Sequence, residues 1–185
     1  MSGIIDTVGS KSGIVGSDTY PAGHVCKVYS ATYTATHTVP TSFTWTNVGN
    51  GGTGELNITC DAPHSQSNKY LIFASVCHSI QTGSTLMFRL IDGSNSIISQ
   101  GDTAGSRTRT WMGRSHYSTD ASPYIIENTS MNFLWSPNST SAQTIKVQCT
   151  QHDNSTYFIN RSHNDNDANW QARATSSLTI MEVVG

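Results

Sequence analysis

Charge is scarce in this 185-residue chain: 12% of its residues are charged, and the formal net charge is −2. No basic field exists to hold nucleic acid, so DNA and RNA are not expected partners. Acids for chemistry are few as well. Glu occurs only at Glu55, Glu127 and Glu182, too far apart in sequence to suggest the paired carboxylates of a glycosidase. There is no Gly-x-Ser-x-Gly elbow, no His-Glu-x-x-His helix and no phosphate-binding glycine loop. The seven histidines are isolated from one another, and no enzymatic activity is expected. Cys26, Cys60, Cys77 and Cys149 are scattered, without the short paired spacing of a zinc site. They are expected as buried free thiols, the alternative being a disulfide such as Cys60 to Cys149. No cofactor or metal is expected.

Long apolar runs are missing too. No stretch approaches the roughly 20 apolar residues of a membrane span, so membrane insertion is not expected. The start, Met1-Ser-Gly-Ile-Ile-Asp6, has no basic leader, and its apolar run is broken at Asp6 and Gly9. A secretory route is therefore not expected, and production in a cytoplasm is. Sequons begin at Asn57, Asn128, Asn138, Asn154 and Asn160, but the abundance of Ser and Thr accounts for them. Helical periodicity is also absent: no segment of a dozen residues sustains an apolar stripe of period 3.6.

What the chain does have is Ser, Thr, Asn and Gly in quantity, residues that compete with a helical backbone for hydrogen bonds. From Val25 onward the apolar pattern has period two. Leu56, Ile58 and Cys60 alternate with Asn57 and Thr59, and Ile145, Val147 and Cys149 with Lys146 and Gln148. These spacings predict half-buried strands. Tyr70 to Cys77 is apolar on both faces, and Leu86 to Ile91 nearly so. Both read as central strands or as strands covered by a neighbouring subunit. Asp92-Gly-Ser-Asn95 predicts a hairpin turn into Ser96 to Ser99. Further strands are expected at Phe43 to Val48, Thr108 to His116, Ser130 to Trp135, Thr156 to Asn160 and Ser177 to Val183.

Together these predict one all-β domain over residues 21–185, an antiparallel jelly-roll sandwich. Residues 1–20 stand apart, since Ser2-Gly-Ile-Ile5 is echoed by Ser12-Gly-Ile-Val15 and Val8-Gly-Ser10 by Val15-Gly-Ser17. Such a glycine-spaced segment buries little against itself and is expected as an extended arm. Its apolar residues, Ile4, Ile5, Val8, Ile14 and Val15, are the candidate docking residues.

The remaining candidates are aromatic and polar. Trp45 and Trp135 alternate with other bulky residues and are expected in the core. Trp111 and Trp170 are the candidates for contact with a glycan or a neighbouring subunit, against plain packing. Asp165-Asn-Asp-Ala-Asn169 offers the opening oxygen ligands of a calcium loop, but Trp170 and Ser176 stand where that loop needs Gly and Glu. A solvated polar loop is the preferred reading. Asn160, Arg161, Asn164 and Asp165 have the capacity to tie it down or to line a subunit contact.

The order of features resembles small virion proteins of tailed phages from aquatic environments, in which a short Gly-Ser-Lys-Ser leader precedes a β domain. That domain is of the type of the trimeric complement and tumour-necrosis-factor heads. The segments that carry the resemblance are Met1 to Gly13, Val28-Tyr-Ser-Ala-Thr-Tyr33, Asn68-Lys-Tyr-Leu-Ile72, Phe133-Leu-Trp-Ser-Pro137, Thr144-Ile-Lys-Val147, Asn160-Arg-Ser162 and Ser177-Leu-Thr-Ile-Met-Glu-Val183. The resemblance implies a homotrimer located on a virion, without enzymatic activity. With no shaft-forming repeat, the chain suits a capsid decoration or cement protein whose partner is a major capsid or other virion protein. The alternative is a head or tail fibre knob that binds host-surface glycan.

Overall fold

The computed structural model describes residues 21–41, 43–49, 54–79, 84–116, 122–152 and 155–185, the side chains of residues 115 and 116 excepted. The arm expected at residues 1–20, with its five candidate docking residues, lies outside them. Twelve strands run through the described chain: β1 Val25–Tyr33, β2 His37–Val39, β3 Thr46–Asn47, β4 Asn57–Cys60, β5 Lys69–Ser79, β6 Ser84–Asp92, β7 Ile97–Ser99, β8 Met112–His116, β9 Ile126–Trp135, β10 Gln143–His152, β11 Tyr157–Ile159 and β12 Ser176–Val183. No helix is present among the described residues. As the scarcity of helical periodicity predicts, the fold is all-β.

Two antiparallel sheets result. The first runs β1-β12-β5-β9, with β11 pairing β5 beyond the end of β12 and β2 pairing β11. The second centres on β10 and β6, flanked by β4 and β3 on one side and by β7 and β8 on the other. Counting the eight main strands β1, β4, β5, β6, β8, β9, β10 and β12 in chain order, the sheets read 1-8-3-6 and 2-7-4-5. That interleaving is the wrapped order of a jelly roll. The inward residues of both sheets form one cluster, with Ile72, Val76, Leu178 and Ile180 from the first sheet meeting Leu86, Phe88, Leu90, Ile145 and Val147 from the second.

The turn after β6 follows its sequence. Asn95 adopts φ 66°, the left-handed region that Asn tolerates, and the Asp92 carboxylate accepts the backbone N–H of Ser94 and Ser96 at 2.9 and 2.8 Å. Asn160 closes β11 in a similar way, at φ 63°. Its buried amide donates to the carbonyls of Tyr33 (2.6 Å) and Ala35 (2.9 Å) and accepts the Ser176 hydroxyl (2.6 Å). One side chain thereby ties the ends of β1, β11 and β12, and the Asn160 sequon is occupied by structural bonds.

Several strand expectations need correction. Phe43 to Val48 is not a strand along its length. Phe43 has φ 26°, outside the β region, and only Thr46 and Asn47 pair with β10. In Thr108 to His116 the pairing begins at Met112. Before it, the Thr110 hydroxyl and the Trp111 N–H both bond the Phe88 carbonyl, at 2.6 and 2.9 Å, and the side chain displaces the regular ladder. The short strand β2 was not anticipated. Trp45 is not in the core cluster; it stands outside the second sheet under the Arg89 guanidinium, 4.1 Å from the ring centroid. Trp135 does pack against the core.

All four cysteines are free, but only Cys60 and Cys149 are buried as expected; Cys26 and Cys77 are half-buried on strands with a wet side. The alternative disulfide is excluded by register, because Cys60 pairs with Gln143 while Cys149 lies six residues farther along β10. At about 3.4 Å per residue that is roughly 20 Å, far beyond disulfide reach. Burial pushes the thiols of Cys60 and Cys149 up to about 12, so both are protonated and inert at neutral pH.

Candidate functional site

Strand register determines which side chains share the outward face of the first sheet. Leu134, Leu71, Met181 and Val28 align as one row across β9, β5, β12 and β1. Next comes Asn132, Phe73, Thr179 and Ser30, and then Ser130, Ser75, Ser177 and Thr32. None of these three rows of four carries a charged residue. One end of the face is apolar and open: Val28 is 59% exposed, Leu134 50% and Phe73 41%. The other end is a ladder of small hydroxyls and amides in which Asn128 donates to Ser75 at 2.7 Å and accepts from Ser130 at 2.6 Å. Between the two lies a concavity of about 220 Å³ beside Phe73, lined by Ser75, Ser130, Asn132, Ser177 and Thr179.

The outward face of the second sheet is different. Met87 and Ile91 point out from β6 yet are 6% and 0% exposed. Arg89, between them, stacks on Trp45 and donates to the Gln148 side chain at 2.8 Å, while Gln148 donates to Asn47 at 3.0 Å. The chain covers this face itself.

Of the two tryptophan candidates, Trp111 is half-buried against the core, its ring edge-on to Phe133 at 6.0 Å. Trp170 is 60% exposed and meets Tyr124, also exposed, edge-on at 4.8 Å. The loop that carries it is pinned to the neighbouring segment by the Asn164 N–H, which donates to the Pro123 carbonyl at 2.9 Å. Asp165 is held by Arg173 at 2.5 Å, with Arg161 at 3.8 Å. Two guanidinium groups therefore stand where a calcium ion would need its first ligand free, which favours the polar-loop reading. Asn160, Arg161, Asn164 and Asp165 all bond within or across this loop, as their hydrogen-bonding capacity suggested. Beside the loop lies a cavity of about 320 Å³ formed by residues 165–168 and 171–173.

Sequence reasoning missed Tyr124, which had no alternation partner to mark it, and it missed the buried acid Glu182. The latter is on the inward face of β12 and fully buried, accepting from the His64 N–H at 2.9 Å and the Asn68 amide at 2.6 Å, with the Lys27 ammonium 4.0 Å away. It fastens the connection between β4 and β5 to the sandwich and is walled off from solvent. Among the described residues no group of three or more His, Cys, Asp or Glu is placed to hold a metal ion.

No protein-family model matches the chain, and no curated protein sequence matches it. Among solved structures, the infectious bursal disease virus VP2 subviral particle is similar at 11% identity and a TM-score of 0.39. The match covers 85% of this chain and 39% of that one, so the chain spans well under half the length of the protein it matches. At this level the likeness carries no functional argument.

Proposed function

We propose that this chain is a non-enzymatic structural protein of a phage virion, a capsid decoration or cement protein that assembles as a homotrimer. The observation that carries the reading is the outward face of the first sheet. Monomeric domains rarely leave such apolar side chains together on an open sheet, and no charge interrupts these three rows, Lys69 standing in the row beyond them. A second copy of the chain is the occupant that fits. A charged partner would have to bury its charges unpaired against twelve uncharged positions, whereas neighbouring copies bring apolar residues and neutral hydrogen-bonding groups, each face meeting parts of two others around a three-fold axis. The jelly-roll order, and the resemblance of the segments named above to small phage virion proteins, are the further supports of this reading.

Docking on the shell is assigned to Ile4, Ile5, Val8, Ile14 and Val15. A few hundred Å² of apolar arm surface would contribute several kcal/mol at about 25 cal/mol per Å², and three arms on one trimer act together. The test is sedimentation of the full chain, followed by binding of the chain lacking residues 2–17 to undecorated capsids. The expected results are a particle of three chain masses and a truncated trimer that no longer binds. A monomer at micromolar concentration overturns the assembly reading, and full decoration by the truncated chain overturns the arm.

A further inference from the structure

We propose that Lys27, Asn68 and Glu182 are the site of an intramolecular isopeptide bond, which the chain forms on itself between the Lys27 side-chain nitrogen and the Asn68 side-chain carbonyl carbon. Such a bond needs an amine, a carboxamide and a carboxylate that moves protons between them, held together and kept from water. Strand order supplies the arrangement. β12 lies between β1 and β5, and Glu182 is paired with Lys27 on one side and on the other with Tyr70, two residues from Asn68. The two oxygens of its carboxylate face the two reacting groups: Oε1 accepts the Asn68 amide at 2.6 Å, and Oε2 stands 4.0 Å from Lys27 Nζ. Glu182 is fully buried and Asn68 2% exposed, while the Lys27 side chain, 28% exposed, reaches in from the rim, where the exposed Asp61 carboxylate lies 3.8 Å from the same ammonium.

A structural ion pair alone leaves this site unsatisfied. Neither Glu182 Oε2 nor Asn68 Oδ1 has a hydrogen-bond partner among the described residues, although both are buried. Buried acceptors without donors are costly, and so is a buried charge whose counter-ion stops short of hydrogen-bond distance. The reaction removes both costs. Lys27 gives one proton to the Glu182 carboxylate, and the neutral amine adds to Asn68 Cγ. A second proton passes from Nζ to Nδ2, the Cγ–Nδ2 bond breaks, and ammonia leaves. One C–N bond forms and one breaks, no oxidant or reductant is needed, and Glu182 keeps its proton. The charged pair becomes a neutral amide beside a neutral acid. Two donors, the new amide N–H and the Glu182 O–H, appear in a site whose two unsatisfied atoms are both acceptors. This is a single self-modification and adds no turnover on an outside substrate.

The test is peptide mapping of the purified full chain by mass spectrometry. Trypsin cuts after Lys11, Lys27 and Lys69, so an unmodified chain yields residues 12–27 and 28–69 as separate peptides. The expected result is one peptide, residues 12–69, uncut at Lys27 and lighter than its sequence by one ammonia, about 17 Da. Lys27→Arg and Glu182→Gln should each lower the cross-linked fraction at least tenfold. Glu182→Gln keeps an oxygen for the bonds from the His64 N–H and the Asn68 amide, so its circular dichroism should remain that of the β domain. Because the bond closes the chain between residues 27 and 68, Lys27→Arg should also lower Tm by about 10 °C. Separate peptides of full mass from the wild-type chain overturn the bond. Cross-linking of Glu182→Gln to the wild-type extent overturns the part given to Glu182. The three residues lie off the rows assigned to assembly, so either outcome leaves the trimer and the arm to their own tests.

Discussion

β5 and β6 are central strands of the two sheets, and both are apolar or nearly so along both faces, yet their outward residues end in different places. On β6 the outward Met87 and Ile91 are buried within the chain, and Arg89 between them is capped by Trp45. On β5 the outward Leu71 and Phe73 stand beside Leu134, Asn132, Met181 and Thr179 of the same sheet, and Phe73 is 41% exposed. Both inward faces do the same work in one core. The difference therefore reports on what lies outside each sheet, and it teaches that a doubly apolar strand is an instruction to be covered without a statement of by what. The second sheet is covered by the chain itself; for the first, a second copy is the proposed cover.

Truncating one outward residue on each sheet should separate the two faces by the largest margin. Ile91→Ala should cost the domain about 2–5 kcal/mol, the range for emptying a buried aliphatic site. Phe73→Ala, measured at a dilution where the chains are dissociated, should change unfolding by no more than about 0.5 kcal/mol, as surface substitutions do. Urea denaturation of both variants compares them directly. Equal losses would mean that the open face is already buried in the isolated chain.

A charge on the open face sharpens the other half. Leu134→Glu would place three carboxylates in the proposed interface, where an unpaired buried charge costs about 3–5 kcal/mol. Assembly should weaken at least a hundredfold by sedimentation, while circular dichroism remains that of the wild-type β domain. Trimers persisting at micromolar concentration would place the interface on another face. A smaller effect is expected across the molecule. Arg89→Ala removes the stack on Trp45 and the bond to Gln148, costs about 1 kcal/mol and leaves assembly untouched.

The contrast between the faces was half legible in the sequence. Alternation at Leu56 to Cys60 and Ile145 to Cys149 showed strands with one wet side, and Tyr70 to Cys77 showed a strand without one. What alternation cannot show is register. Val28, Leu71, Leu134 and Met181 are scattered over the sequence, and only the pairing of β1, β12, β5 and β9 brings them into one row. Trp45 failed for a related reason: a bulky residue beside a strand reads as core until the face it points to is known. Trp170 was legible as a candidate because it sits in a polar loop. Its partner Tyr124 was not, since 46 residues separate the two and their segments are joined through space, by the Asn164–Pro123 bond and the ring contact. Turn chemistry was more transparent, because Asp92 and Asn95 act within the turn that holds them.

The smallest expected effect separates the two regions by pH. His37, buried on β2, accepts the Gly49 N–H at 3.2 Å through its Nδ1, an interaction that needs the neutral ring. Burial pushes its pKa below the usual 6.5. The unfolded chain therefore binds a proton at a higher pH than the folded one does, and stability rises with pH between the folded value and 6.5. Going from pH 7 to pH 5 should weaken the domain to urea, and His37→Asn, which keeps an acceptor but cannot titrate, should flatten that dependence. The three rows of the open face contain no Asp, Glu, His, Lys or Arg, so the dissociation constant of the assembled chains should stay level over the same interval. A trimer that loosens in step with the falling stability of the domain would show that the face is not the independent, uncharged surface its register describes.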